Sequence, residues 1–244
     1  MTANRFFIEK NQIFGKKAVL RGREHHHLSN VLRIKENEKI WLFDEDGKSY
    51  LGKVEEVKKK ETIISILEIR EKEPSQIRVI LAQALIKPSL MELIVQKSTE
   101  LGIDEIIPVV SKRSRSLPEE EILNQRLKRW RRITIEALKQ SGGVFIPKIV
   151  LPIKLENLPK INAEKKLFLN EREGELLKNI VINSLDNIPA KVLILIGPEG
   201  GWDREEEKML IESSFQPVSL GEKILRSETA AICALGIIIH FWKH

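Results

Sequence analysis

Cysteine is almost missing from this 244-residue chain, with Cys233 the only one. No internal disulfide can form, and a reducing compartment is the expected setting. Long hydrophobic runs are missing too. The longest apolar segment, Ala230 to Ile239, is far shorter than the roughly 20 residues a membrane-spanning helix needs. The opening stretch MTANRFFIEKNQ has no secretory apolar core, so the expectation is a cytoplasmic protein without membrane association. Two nucleotide signatures are also absent, G-x-x-x-x-G-K-[ST] and a G-x-G-x-x-G following a strand. Three adjacent histidines, His25, His26 and His27, do not make a zinc site without a cysteine cluster, because neighbours on a strand point to opposite faces. No metal is expected, and no internal repeat or low-complexity tract is visible.

What is present is the composition of a folded globular protein, with 42% hydrophobic and 31% charged residues. Lys and Arg number 41 against 35 acids, a net charge of +6, which favours an anionic partner such as nucleic acid over a neutral one. The length suits two small domains. From Arg5 to about Arg70, short β-like runs (KAVL, KIWLFD, YLGKVEEV, ETIISILEI) alternate with charged turns, one of them at Asp46-Gly47. This predicts a small β-barrel. The polar segment EIREKEPSQ, Glu68 to Gln76, reads as a linker, and the division expected is 1–72 and 73–244.

Beyond it the grammar changes to strands alternating with helices. IRVILAQAL (Ile77 to Leu85), IIPVV, KLFLN (Lys166 to Asn170), VLILIG (Val192 to Gly197) and PVSLG (Pro217 to Gly221) read as strands. A helix begins at Pro88-Ser89, where Ser89 and Glu92 have capping-box spacing, and Gly102 is placed to end it. A longer helix covers about Glu119 to Ser141, with Leu123, Leu127, Trp130, Ile133, Ala137 and Leu138 as its apolar stripe. Such alternation predicts a mostly parallel sheet covered on both faces, with ligands bound beyond the carboxyl ends of its strands.

Two strand ends carry glycine, LIGPEGGWDREE from Leu195 and SLGEKILRSETAA from Ser219. Each is a strand, a Gly, a loop and a helix, so both loops are expected at one sheet edge. Asp203 and Glu206 have capping-box spacing, and Glu205 to Glu207 suit the positive end of a helix dipole. Read alone, Gly197, Gly200 and Gly201 serve equally as a tight turn or as a ligand loop. Arg226 and Glu228, read alone, fit a structural ion pair and a first-turn carboxylate slightly better than a site. The following helix, TAAICALGIIIHFW, is apolar around nearly its whole circumference. It needs more cover than one sheet supplies, and a subunit interface is one source of it. The basic run Arg126 to Arg132 reads as a solvated helix face, and Trp41 and Trp130 as core.

Together these motifs resemble the RsmE family of 16S ribosomal RNA uridine-N3 methyltransferases, in the SPOUT superfamily. The C-terminal signature LIGPEGGWDREE followed by SLGEKILRSETAAICAL carries the resemblance. HHHLSNVLRIKENEKIWLFD, QALIKPSLMELIVQKSTELGIDEIIPVVSKRS and RWRRITIEALKQSG agree with it in order. The resemblance implies a PUA-like β-barrel RNA-binding domain followed by a trefoil-knotted α/β methyltransferase domain. It implies S-adenosyl-L-methionine as cofactor, a homodimer, and 16S rRNA or the small ribosomal subunit as partner, methylated near the decoding region.

The resemblance further implies cofactor contacts from Leu195, Ile196, Gly197, Gly200, Gly201, Leu220, Gly221, Ile224 and Leu225. The sulfonium is cationic, so Glu199 is tolerable there where it would repel a phosphate. Arg226, Glu228 and Glu199 are the expected catalytic residues, Arg226 for the uracil oxygens and either carboxylate as base. His26, Arg33, Lys112, Arg113 and Arg115 are the expected RNA contacts. The chain departs from the family pattern at Gly143 and Lys223, where Arg is common; at Lys223 a bidentate contact is lost.

Overall fold

The computed structural model describes residues 4–73 and 75–243. The chain divides into two compact units, one of residues up to 74 with Ile135–Ile146, the other of Ser75–Thr134 with the chain from Pro147 onward.

The first unit begins with β1 (Arg5–Phe7), β2 (Ile13–Phe14) and β3 (Lys17–Arg21), then a short helix α1 (Gly22–His26) that widens into a π turn over His27–Val31. β4 (Lys39–Phe43), β5 (Lys48–Val57) and β6 (Glu61–Glu71) follow. The sheet order is β1-β4-β5-β6-β3-β2, antiparallel except for the β1–β4 pair. The PUA-like unit is therefore a mixed half-barrel, with no β1–β2 pairing among the described residues to close it. Gly47 makes the β4–β5 turn at φ 86°, a conformation open to glycine at little cost.

Two expectations need correction. β6 runs on to Glu71, so half of the supposed linker is strand, held by pairs such as Leu51 with Glu68 and Lys48 with Glu71. The histidine run is helical, not extended. His25 is buried, with Nδ1 2.8 Å from Thr62 Oγ1, while His26 is exposed. No His, Cys, Asp and Glu grouping suited to a metal occurs among the described residues.

The second unit opens with β7 (Arg78–Ala84), α2 (Pro88–Leu101), β8 (Glu105–Val110) and α3 (Glu120–Ser141), whose last turns belong to the first unit. Next come β9 (Lys148–Ile149), β10 (Ile153–Lys154), β11 (Lys165–Leu169), β12 (Glu175–Leu176) and α4 (Leu177–Asn183). β13 (Lys191–Ile196), α5 (Arg204–Glu212), β14 (Gln216–Ser219) and α6 (Ser227–Trp242) end it. The sheet order is β10-β8-β7-β13-β11-β14-β12 with β9 beside β8, and every described pair is parallel.

The two-residue period of a strand divides β13 between two cores. Val192, Ile194 and Ile196 join Met91, Trp130, Val181 and the inner face of α6 on one side. Leu193 and Leu195 join Leu158, Trp202, Leu210 and Phe215 on the other. Each such side chain, fully buried, contributes about 1.5–3 kcal/mol, so apolar cover on both faces selects the parallel sheet. Gly102 ends α2 in the left-handed region, at φ 93°. The Ser89–Glu92 capping box does not form: α2 starts at Pro88, its N-cap Lys87 makes no side-chain bond, and Glu92 is held instead by Arg129 at 2.5 and 2.7 Å. α6 is pinned at its far end by Trp242 Nε1, which donates to Val181 O at 3.1 Å. Lys243 Nζ donates to Asp104 Oδ2 at 2.7 Å. Among the described residues no helix is long and apolar enough to cross a membrane.

In the first unit the Tyr50 hydroxyl donates to Asp44 Oδ2 at 2.8 Å, with both residues buried. Burial, and then the Asp44 carboxylate, push the phenol above its ordinary value. The folded state thus holds this proton more tightly than the unfolded chain. The resulting stability is complete below about pH 10 and lost as pH rises past it. Between pH 10 and 12 the melting temperature of Tyr50→Phe is expected to fall less steeply than that of wild type, measured by thermal denaturation; parallel curves would remove the effect.

Candidate functional site

β11 pairs with β13 on one side and β14 on the other, all parallel, so the three carboxyl ends share one edge, where open α/β sheets bind ligands. The loops after β13 and β14 meet there and line a cavity of about 470 Å³. Both glycine loops are at the same edge, as the strand–loop–helix spacing implied.

The first loop turns on two glycines. A Cβ on Gly197 would lie 3.0 Å from Cε2 of Trp202, and the indole Nε1 donates to Leu169 O at 2.8 Å. Gly201 has φ 66°, and a Cβ there would meet Glu171 Oε1 at 3.0 Å. The acidic tail is helix capping: Asp203 accepts from Glu205 N at 3.2 Å, and Glu206 accepts from Asp203 N at 3.2 Å. Gly197, Glu199, Gly201 and Ile196 line the cavity. Leu195 and Gly200 do not: the side chain of Leu195 is buried in the opposite core, and Gly200 packs against Arg113.

From the second loop come Leu220, Gly221, Lys223, Ile224, Leu225 and Arg226. Gly221 sits at φ 123° with open space where a Cβ would stand. Leu220 and Leu225 are half-buried, whereas Ile224 is 76% exposed. Arg226 is the exposed N-cap of α6. Glu228, in the first turn, is 8% exposed and lines the cavity, yet its Oε2 is buried with no hydrogen-bond partner. The alternative ion-pair reading therefore fails, since neither Arg226 nor Glu228 has a salt-bridge partner among the described residues. Glu199 lines the same cavity from an exposed position.

Several residues at this edge escaped the sequence reading. Lys87, Leu90, Leu169, Asn170 and Glu171 also line the cavity. Asn170 is buried, and its Oδ1 accepts from Arg172 N at 2.9 Å, turning the chain away from β11. Beneath the cavity Gln83, fully buried at the end of β7, donates through Nε2 to Ser227 Oγ at 3.0 Å, and Ser227 Oγ donates to Gly197 O at 2.6 Å. A glutamine inside the apolar run IRVILAQAL was the signal available.

The expected RNA contacts fall in two places. His26 and Arg33 are exposed on the first unit, Arg33 in the left-handed region at φ 51°. Arg115 is exposed on the loop after β8. Lys112 and Arg113, on the same loop, are already engaged. Lys112 Nζ lies 3.0 Å from Asp203 and also pairs with Glu205, while Arg113 pairs with Asp203 at 3.5 Å. Hydrogen bonds donated to Glu205 and Asp203 push the Lys112 ammonium up to about 12, and the bonds Asp203 accepts from Lys112 and from the Glu205 main chain hold its carboxyl below the ordinary value. Of the two departures, Lys223 lines the cavity, and Gly143 lies in the first unit, where its carbonyl accepts from Arg5 Nη2 at 2.8 Å.

The cavity thus offers backbone-lined glycine turns, an apolar wall, one buried acceptor without a donor, and an exposed guanidinium at its rim. It suits a ligand with both an apolar ring and a cationic or hydrogen-bonding group, and its volume is within the range of cofactor sites. The RNA methyltransferase domain family matches residues 72–239, and the RNA methyltransferase PUA domain family matches residues 20–67. The chain is 32% identical over 238 residues to the ribosomal RNA small subunit methyltransferase E of Aquifex aeolicus, covering 97% of this chain and 99% of that one. It is 36% identical over 233 residues to the protein of the same name from Mesomycoplasma hyopneumoniae, covering 95% and 96%. Among solved structures, it is similar to a Legionella pneumophila methyltransferase in complex with bound SAM, with TM-score 0.89, 30% identity and 98% of each chain covered. A ribosomal RNA small subunit methyltransferase E from Neisseria gonorrhoeae bound to S-adenosyl methionine gives TM-score 0.87 at 32% identity, again over 98% of each chain. With both family domains matched and relatives aligned along nearly its whole length, this chain belongs to the ribosomal RNA small subunit methyltransferase E family.

Proposed function

We propose that this protein methylates N3 of a uridine in 16S ribosomal RNA, near the decoding region of the small subunit, using S-adenosylmethionine bound in the cavity between the two glycine loops. The division of labour is an RNA-binding domain at 1–72 and a methyltransferase domain with the family's knotted chain path at 73–244. The observation that carries the reading is Glu228, whose buried Oε2 has no donor where the cavity meets Arg226.

The residues present fit the cofactor. Gly197 and Gly201 let Trp202 and the Glu171 carboxylate pack against the loop backbone where a Cβ would collide, which sets the turn whose backbone lines the cavity. Ile196, Leu220, Ile224 and Leu225 supply an apolar wall for an adenine, and no lysine-and-glycine phosphate cradle is needed for a ligand carrying a sulfonium. When bound, S-adenosylmethionine supplies an electrophilic methyl group. Leu195 and Gly200, behind the loop, act through the backbone they set.

The remaining chemistry falls to the chain's own residues. The uracil N3 is a weakly acidic imide nitrogen, and its proton must leave before N3 becomes nucleophilic. An unpaired buried carboxylate oxygen is poorly satisfied, and Glu228 is placed to accept that proton. Arg226 offers fixed N–H groups to the uracil oxygens, on which the resulting negative charge is spread. Glu199, at the outer rim, is the alternative acceptor. His26, Arg33 and Arg115 present exposed basic side chains to the RNA backbone. Exposed Cys233 and Phe241, with half-buried Ile232 and Ile237, make an apolar strip on α6 that a homodimer would cover, in the cytoplasm where ribosomal RNA is processed.

Arg226→Ala is expected to remove turnover while donor binding and melting temperature stay near wild type, as read by methyl transfer, calorimetry and thermal denaturation. Glu228→Gln should lower kcat by about 10²–10⁴-fold, with a deficit that shrinks as pH rises and solvent ionises N3. Full activity in either variant would remove that residue from the mechanism. Nucleoside mapping of ribosomal RNA from cells with and without the gene should show one N3-methyluridine that depends on it; an unchanged map would sink the substrate assignment. Light scattering of the purified protein should return twice the chain mass, and a monomer at micromolar concentration would exclude the dimer.

A further inference from the structure

The short basic loop after β8 touches the first glycine loop at every turn. Lys112 N donates to Glu206 Oε1 at 2.7 Å, and Glu206 is the buried member of the capping box that starts α5. Lys112 Nζ lies 3.0 Å from Asp203 Oδ1, the other member of that box. Arg113 Nη1 donates to Gly200 O at 3.2 Å, Nη2 reaches Asp203 Oδ2 at 3.5 Å, and the arginine Cβ is 3.5 Å from where a Cβ on Gly200 would stand. The loop's own footing is firm. Arg115 N donates to Leu85 O at 2.8 Å, and Ser111 N donates to Ser114 Oγ at 2.9 Å.

We infer that Lys112 and Arg113 are positioning residues for the methyl-donor loop, a clasp that holds Gly200 to Glu206 in its cofactor-ready shape, rather than primary RNA ligands. This rests on the proposed donor site. Three observations separate it from the expectation that these side chains bind phosphate. Their charge is compensated in place by Asp203 and Glu205, so a phosphate would have to displace two carboxylates. One of the contacts is a main-chain N–H to a buried acid, which no RNA contact requires. Arg113 lays its side chain along the loop backbone, with Cβ and Cδ 3.5 and 3.7 Å from where a Cβ on Gly200 would stand. Exposed ion pairs are individually weak, but here a capped helix start, a carbonyl and a glycine are gripped by two adjacent residues. Arg113 carries most of the specificity, because its planar fork reaches a carbonyl and a carboxylate from two separate nitrogens held in fixed geometry, whereas lysine offers a single point charge. The arrangement also ties the end of β8 to the donor loop, so a force on one is felt by the other.

Amide hydrogen exchange on the ligand-free protein tests the clasp without reference to the donor. Arg113→Ala should raise exchange at Gly201 and Trp202 several-fold, with Arg113→Lys intermediate and melting temperature within a few degrees of wild type. Exchange at wild-type rates in Arg113→Ala would overturn the inference. Calorimetry then follows S-adenosylmethionine in the absence of RNA. Donor Kd should rise roughly three- to tenfold in Arg113→Ala, remain at the wild-type value in Arg115→Ala, and in steady state appear as a raised KM for donor with kcat little changed. An unchanged donor Kd together with a raised KM for RNA would make Arg113 an RNA ligand and refute the clasp. A wild-type protein that binds no donor would instead count against the proposed donor site, leaving the exchange result to decide the clasp alone.

Discussion

Two hydrogen bonds beneath the cavity hold the site together. Gln83 reaches from β7 to Ser227, and Ser227 passes the bond to the carbonyl of Gly197. Both side chains are buried, where a polar group without a partner costs about 1–3 kcal/mol, so the pair is specific about what it joins. It joins the end of one strand, the start of α6 and the first residue of the glycine loop after β13. The direction of donation is also fixed: Ser227 gives its only proton to Gly197, and it therefore can only accept from Gln83. The amide cannot be turned around without losing both that bond and the one to Ala84 O. The two loops that line the cavity are thereby tied to each other and to β7.

Around it, apolar burial does the bulk work. The strands β7 and β13 lie side by side in register from Arg78 opposite Lys191 to Gln83 opposite Ile196, and each alternates its side chains between two cores. The sheet is thereby clamped from both faces, leaving only its ends for chemistry. Charge enters at those ends, where helix starts and orphan main-chain groups accept it. Asp203 and Glu206 serve α5 in this way, and Glu228 stands in the first turn of α6.

Much of this was legible in the residues. Strands and helices followed from periodicity, the shared edge of the two glycine loops from the strand–loop–helix order, and the function of Asp203 and Glu206 from their spacing. The same spacing misled at Ser89 and Glu92. Proline at the first helical position moved the N-cap two residues earlier, to Lys87, and Arg129, distant in sequence, captured the glutamate. Leu195 and Ile196 could not both face a ligand, because a strand sends neighbours to opposite sides. Leu169 and Asn170 were invisible as site residues for a different reason. Their place depends on β11 lying between β13 and β14, and sheet order is a property of long-range pairing that local pattern does not encode. Lys112 and Arg113 read as free positive charge because their acidic partners lie far along the chain.

The first unit is not a continuous piece of chain. Phe7 and Phe43, the paired last residues of β1 and β4, are covered by Leu138 and Val144, and the Arg5 guanidinium, its charge disfavoured by burial, rests on the Gly143 carbonyl and the Phe43 ring. These covering residues are made only after β7, α2 and β8 of the other unit have been synthesised. A growing polypeptide therefore leaves the early sheet with an open apolar flank until much of the second unit's sequence has emerged. Evolution, for the same reason, cannot trade this β-rich unit between proteins by a single cut and join: a donor gene would have to bring along the end of a helix from the middle of its neighbour.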